Sequence, residues 1–160
     1  MSIADLFSLT SLSLGMLSIF FSYQQNFKVA AILIPIAVLF DFFDGKVARM
    51  LKRKGDFGKH IDSLCDIVSF GVAPAFFTFS QIEPSILNYI LILFFVCCGA
   101  LRLARFNTTN INHFEGMPIT WNGILFPLLF FAGLNITYFP YIQLIAGMLM
   151  ISTIKINKVK

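Results

Sequence analysis

Six apolar stretches fill most of the chain, running roughly Leu6–Tyr23, Val29–Met50, His60–Phe79, Ile86–Phe106, Trp121–Thr137 and Tyr138–Ile156. Each approaches the ~20 residues that a helix needs to cross a hydrocarbon layer. The polar breaks fall at Met50–Gly58, Gln81–Ser85 and Asn107–Thr120, and the last two stretches share a short turn at Asn135–Pro140. The pattern predicts an all-α polytopic membrane protein of about six transmembrane helices. A single transmembrane domain over residues 1–160 leaves no room for a separate soluble one. No internal repeat or low-complexity tract breaks the pattern.

Composition agrees with that reading. Of 160 residues, 58% are hydrophobic, 20 are Phe and only 12% are charged, about half the share usual in globular proteins. Mean hydropathy is +0.82. The charges also give an orientation. Lys52, Arg53, Lys54 and Lys59 surround the second connection, Arg102 and Arg105 precede the fourth, and Lys155, Lys158 and Lys160 close the chain. The first connection holds only Lys28, the third only Glu83 and the fifth no charge. With six helices every basic cluster falls on one side, which predicts cytoplasmic termini in an integral membrane protein of the cell membrane. The net charge of +4 is then an orientation signal with some attraction to anionic headgroups, and it does not point to nucleic acid. Lys28 is the first basic residue, so no cleavable targeting signal is expected. Cys65, Cys97 and Cys98 fall inside helices without metal or redox spacing and read as packing residues.

Against this apolar background stands Asp41-x2-Asp44-Gly45-x2-Ala48-Arg49-x8-Gly58-x3-Asp62-x3-Asp66. Carboxylates are costly within a membrane helix and require a compensating partner. Spacings of three and four residues put each pair on one helix face. Asp41 lies eight residues before Arg49, and Asp66 eight after Gly58; at 1.5 Å per residue both sit about 12 Å beneath the connecting hairpin. Asp44 and Asp62 lie one turn nearer the surface. An antiparallel hairpin therefore brings four carboxylates together as two facing pairs. Two hard divalent cations such as Mg2+ or Mn2+ would satisfy them, and a metal pair suits displacement at phosphorus. Gly45, Ala48 and Gly58 leave space for close approach to the backbone, while Arg49 supplies a permanent cation for phosphate oxygens. The competing reading pairs the acids with Lys46, Arg49 or Lys59 and gives the small residues to helix packing.

At every fixed position this pattern resembles the signature of the CDP-alcohol phosphotransferases. The resemblance implies a six-helix-core membrane enzyme, usually a homodimer, that uses two divalent metals to move a phospho-alcohol group from a CDP-linked donor to a hydroxyl, releasing CMP. Carried over by position, Asp41, Asp44, Asp62 and Asp66 hold the metals and Asp66 is the general base. Gly45, Ala48 and Gly58 line the cytidine pocket, and Arg49 lies near the donor phosphates. The runs His60–Ala75, Leu101–Asn107 and Phe114–Ile119 are similar to the phosphatidylserine synthase branch of that family. This implies CDP-diacylglycerol or CDP-archaeol as donor and L-serine as acceptor. Asp5 stands where the branch often has Asn, leaving Thr10 as the N-terminal candidate for the donor. Met117-Pro118-Ile119-Thr120 varies the usual Leu-Pro-Ile-Pro.

A serine site needs a cation for the carboxylate. Arg102 and Arg105, three apart, can share one face of the fourth helix, and Asn107 can orient a guanidinium. Each also has a plainer use, as a positive-inside anchor or a helix cap. His113 reads as an ordinary loop histidine, and Ser63 and Ser69 as backbone-bonding or packing residues. Two rival functions stand beside serine transfer. One keeps the chemistry with glycerol 3-phosphate or inositol phosphate as acceptor. The other is a divalent-cation transporter, which the lack of an inverted repeat disfavours.

Overall fold

A computed structural model of the chain describes residues 3–50, 56–108, 114–152 and 155–156. Its helices are α1 (Ile3–Tyr23), α2 (Phe27–Met50), α3 (Asp56–Asp66), α4 (Ala73–Phe79), α5 (Ile86–Thr108), α6 (Asn122–Phe131) and α7 (Phe139–Ile151). A π-helical segment, Ile67–Val72, joins α3 to α4, so 56–79 runs as one continuous helix. By length and composition Asp5–Tyr23, Phe57–Phe79 and Ile86–Thr108 can each cross a membrane, and Ile119–Phe131 and Ile136–Ile151 are shorter apolar helices. The 24 residues of α2 are long enough, but its second half carries Asp41, Asp44, Lys46 and Arg49.

Polarity is distributed as a bilayer demands. Large apolar side chains such as Leu39, Ile90, Leu93, Leu128 and Ile145 face outward, while Ser11, Ser18, Ser22, Thr78, Asn122 and Gln143 are buried. An outward apolar surface of that extent is stable only against lipid or another protein. The centre is aromatic. Phe70, Phe77, Phe95, Phe126 and Phe139 are fully buried, and Phe95 meets Phe126 nearly edge-to-face at 5.7 Å.

Small residues bring the helices close, as is usual where lipid supplies no hydrophobic drive. Ser18 donates to the Ala30 carbonyl at 2.9 Å, tying α1 to α2 across a tight turn in which Gln25 has φ 60. Ser69 donates to the Ser11 carbonyl at 3.0 Å. Next to that bond Gly15 lies so close that an added Cβ would stand 2.7 Å from Ser69 Cα.

The π-turn has a local cause. Pro74 has no N–H to donate to the carbonyl four residues back, and its ring crowds that carbonyl. Ahead of it Ala73 donates to Val68, five residues back, which widens the turn. Gln143 of α7 is fully buried and donates to the Pro74 carbonyl at 3.1 Å and to Thr78 Oγ1 at 2.9 Å. Gln143→Ala is therefore expected to cost about 1–3 kcal/mol, from two interhelical bonds and the cavity left behind. The melting temperature in detergent measures this, and an unchanged value would remove the bonds from the stability account.

Two boundaries differ from the sequence reading. α6 ends at Phe131, not near Thr137, because Gly133 takes a left-handed φ of 76 just past the helix end. The break therefore precedes Asn135–Pro140. Asn135 caps a short 3-10 turn (Ile136–Tyr138) by accepting from Thr137 N, and Pro140 sits in the first turn of α7, where a missing N–H costs nothing. α7 in turn stops at Ile151 and not at Ile156. Beyond it β2 (Lys155–Ile156) pairs antiparallel with β1 (Phe114–Glu115), with Phe114 opposite Ile156. Gly116, at φ 74, lies against the Met150 carbonyl, and Met117 N donates to the Leu149 carbonyl at 3.1 Å. His113 and the basic run Lys52–Lys54 lie outside the described residues.

Candidate active site

Asp41 comes from α2, and Asp62 and Asp66 from one face of α3. Their carboxylates each offer an oxygen within 4.8 Å of the others, and all three residues are half-buried. Asp41 and Asp66 stand within hydrogen-bonding reach of each other, so without a cation they can bond only by sharing a proton. The geometry fits a shared cation. Hard divalent ions bind oxygen at about 2.0–2.6 Å, so two ligands of one ion stand at most about 4–5 Å apart. Three carboxylates this close repel one another in a membrane-embedded bundle, and a divalent cation removes that cost. The side chains of Asp44, Ala48 and Arg49 lie outside the described residues, so the cluster is described for three of the four predicted ligands.

The glycines separate into two groups. At Gly15, Gly71, Gly99 and Gly123 an added Cβ would come within 2.9 Å or less of a neighbouring helix or side chain, so these are packing glycines. Among the described residues it would meet nothing within 4 Å at Gly45, and at Gly58 only Asp5 Oδ1, at 3.5 Å. The two glycines of the aspartate motif are not required by helix packing and leave open space beside the acids. Asp5 therefore belongs to the site's surroundings. It is buried in the first turn of α1, facing Gly58. The signal that could have found it is the lone acid at the start of an otherwise apolar helix. Thr10, the N-terminal candidate, donates its hydroxyl hydrogen to the Leu6 carbonyl at 2.8 Å, within its own helix.

On the other flank α5 contributes the cations, and the structure splits the predicted pair. Arg102 is half-buried within electrostatic reach of Asp66, with its guanidinium 5.9 Å from the Phe106 ring. Arg105 is exposed and donates to the Ile151 carbonyl at 3.3 Å, serving the C-terminal end of α7. Such a carbonyl end attracts a cation, which is why Arg105 turns away. Asn107 does not orient either guanidinium. Its Nδ2 donates to Ser63 Oγ at 2.9 Å. Lys59 Nζ donates to the carbonyls of Phe106 and Asn107 at 3.3 and 3.1 Å, fixing the end of α5 to α3. Lys59, read as a possible partner for the acids, thus has another task.

Fold and site together define a polytopic integral membrane protein built around an acidic cluster near one end of its bundle. The chain belongs to the CDP-alcohol phosphatidyltransferase family, whose model matches residues 1–156. That agrees with the resemblance seen in the aspartate pattern. The chain is similar to the CDP-diacylglycerol–serine O-phosphatidyltransferase of Methanocaldococcus jannaschii, 42% identical over 79% of this chain and 62% of the relative. It is also similar to the archaetidylserine synthase of Methanothermobacter thermautotrophicus, 37% identical over 99% of this chain and 70% of that one. A third relative is the CDP-diacylglycerol–serine O-phosphatidyltransferase of Bacillus subtilis, 34% identical over 91% of this chain and 81% of the relative.

Proposed function

We propose that the protein transfers the phosphatidyl or archaetidyl group of a CDP-linked lipid to the hydroxyl of L-serine, releasing CMP. The observation that carries this is the convergence of Asp41, Asp62 and Asp66 near two glycines that, among the described residues, no helix crowds. The serine-transferase names of the relatives support the choice of acceptor.

In this reading Gly45, Ala48 and Gly58 leave room for the cytidine, and Arg49 is the cation assigned to the donor phosphates. Two divalent cations, Mg2+ or Mn2+, held by Asp41, Asp62 and Asp66 together with Asp44, would offset charge on the diphosphate and on departing CMP. Asp66 takes the proton from the serine hydroxyl. The serine Oγ then bonds to the lipid-side phosphorus as the bond from that phosphorus to the CMP oxygen breaks. The lipid chains lie against the outward apolar faces of the helices. The site opens to the cytoplasmic side, as the basic ends of the helices support, and the working form is a homodimer, on the strength of the family resemblance.

CMP release from CDP-diacylglycerol and from CDP-archaeol is the test, run with serine, glycerol 3-phosphate and inositol phosphate in turn. Serine-dependent release that stops in EDTA and returns with Mg2+ or Mn2+ is expected. Full activity in EDTA would overturn the metal reading. Preference for glycerol 3-phosphate or inositol phosphate would overturn serine, and cation flux without CMP release would favour transport.

A further inference from the structure

Among the described residues, six buried side-chain polar atoms have no hydrogen-bond partner, and two of these, Arg102 Nε and Asn107 Oδ1, belong to α5 where it meets the aspartate helix. A buried polar atom left unsatisfied is costly, and these two flank the aspartate helix: Arg102 lies within electrostatic reach of Asp66, and Asn107 bonds Ser63, three residues before that aspartate. They are of opposite sense. Arg102 Nε can only donate, and Asn107 Oδ1 can only accept.

The orientation of the Asn107 amide follows from its partners. Ser63 Oγ gives its hydrogen to the Lys59 carbonyl at 3.1 Å, so toward Asn107 it can only accept. Asn107 must therefore present Nδ2 to Ser63, which leaves Oδ1 turned away with nothing to bind. Lys59 fixes the backbone of the same residue through its carbonyl. The acceptor oxygen is thus held in place by α3, three residues from Asp66 in sequence at Ser63.

We propose that Asn107 Oδ1 accepts from the ammonium of an amino-acid acceptor while Arg102 Nε donates to its carboxylate, with Ser63 as the positioning residue that sets the amide. This rests on the serine-transfer reading and adds how the zwitterion is told from other alcohols. The match is one of charge sense: an unmet acceptor for the group with only donors, and an unmet cationic donor for the group with only acceptors. Glycerol 3-phosphate offers no ammonium, and ethanolamine no carboxylate.

The test compares kcat/KM for serine with that for 3-hydroxypropionate, which lacks the ammonium, and for ethanolamine, which lacks the carboxylate. Loss of one charge-assisted hydrogen bond corresponds to about a 10- to 100-fold change. Asn107→Ala is expected to raise the KM for serine by about that factor with kcat little changed, and to shrink the preference for serine over 3-hydroxypropionate. Asn107→Asp keeps an acceptor oxygen, and because the Ser63 hydroxyl can turn its hydrogen toward the new carboxylate, it should restore most of that preference. Ser63→Ala should raise the same KM by a smaller factor and Ser63→Thr should recover it. Arg102→Gln should shrink the preference for serine over ethanolamine instead. If Asn107→Ala slows every acceptor equally, or lowers the melting temperature with selectivity unchanged, Asn107 is structural and the proposal fails. Absence of serine-dependent CMP release in the unmodified protein would instead overturn the reading beneath it.

Discussion

Asp66→Asn is expected to lower kcat by about 10³-fold or more, with CDP-lipid binding retained and the fold intact. Asp66 sits where three roles meet. It stands within hydrogen-bonding reach of Asp41, lies in the carboxylate cluster with Asp62, and is within electrostatic reach of Arg102. Asn keeps its size and can still bond to Asp41, but it neither takes a proton nor supplies a ligand charge. The stability readout has an opposite sign to the activity readout. Removing one of three crowded carboxylates relieves repulsion, so the melting temperature in EDTA should stay level or rise. Single-turnover CMP release, donor binding and melting in EDTA decide the matter together. A rate within about ten-fold of the unmodified enzyme would sink the base assignment.

The second large effect is a contrast between two glycines. Gly58→Leu is expected to weaken CDP-lipid binding by at least about 10-fold, because its side chain would fill the space proposed for the nucleotide. Folding should change less than binding, since among the described residues an added Cβ meets only Asp5 Oδ1 at 3.5 Å. Gly15→Ala should do the reverse. Its Cβ would stand 2.7 Å from Ser69 Cα, which forces α1 away from the π-segment and costs about 1–3 kcal/mol. Donor affinity of whatever folds should survive. Melting temperature and CDP-lipid affinity measured on both variants separate the cases, and a Gly58→Leu protein that melts early with normal affinity would return that glycine to packing.

Much of this was legible in the chain. Helix periodicity placed Asp62 and Asp66 on one face, and equal depth from the hairpin set Asp41 opposite Asp66. Both follow from local rise and turn, which sequence records directly. The different surroundings of Arg102 and Arg105 are something periodicity cannot carry. Their three-residue spacing permits a shared face, but the carbonyl end of α7 competes for Arg105, and only the packed bundle brings that end within reach. Ser63 shows the same limit. Its reading as a backbone-bonding or packing group holds, since it bonds the Lys59 carbonyl, but that it also accepts from Asn107 emerges only once the helices are packed. The π-turn is partly legible: Pro74 marks a bend, but the apolar run Ile67–Val72 does not say that the helix widens there instead of kinking.

That π-turn gives the third spanning helix a seam. It accommodates one more residue than the α-turns on either side, so loss of a single residue from Ile67–Val72 can be absorbed by closure to ordinary α geometry. The aspartates upstream and the Pro74–Thr78 face held by Gln143 downstream would both keep their directions. The same deletion within Asp56–Asp66 would rotate one set against the other by about 100°. Changes in length along this helix are therefore tolerated at one place and ruinous a single turn away, which makes the seam the natural point at which descendants of this chain could lengthen or shorten the helix without losing their chemistry.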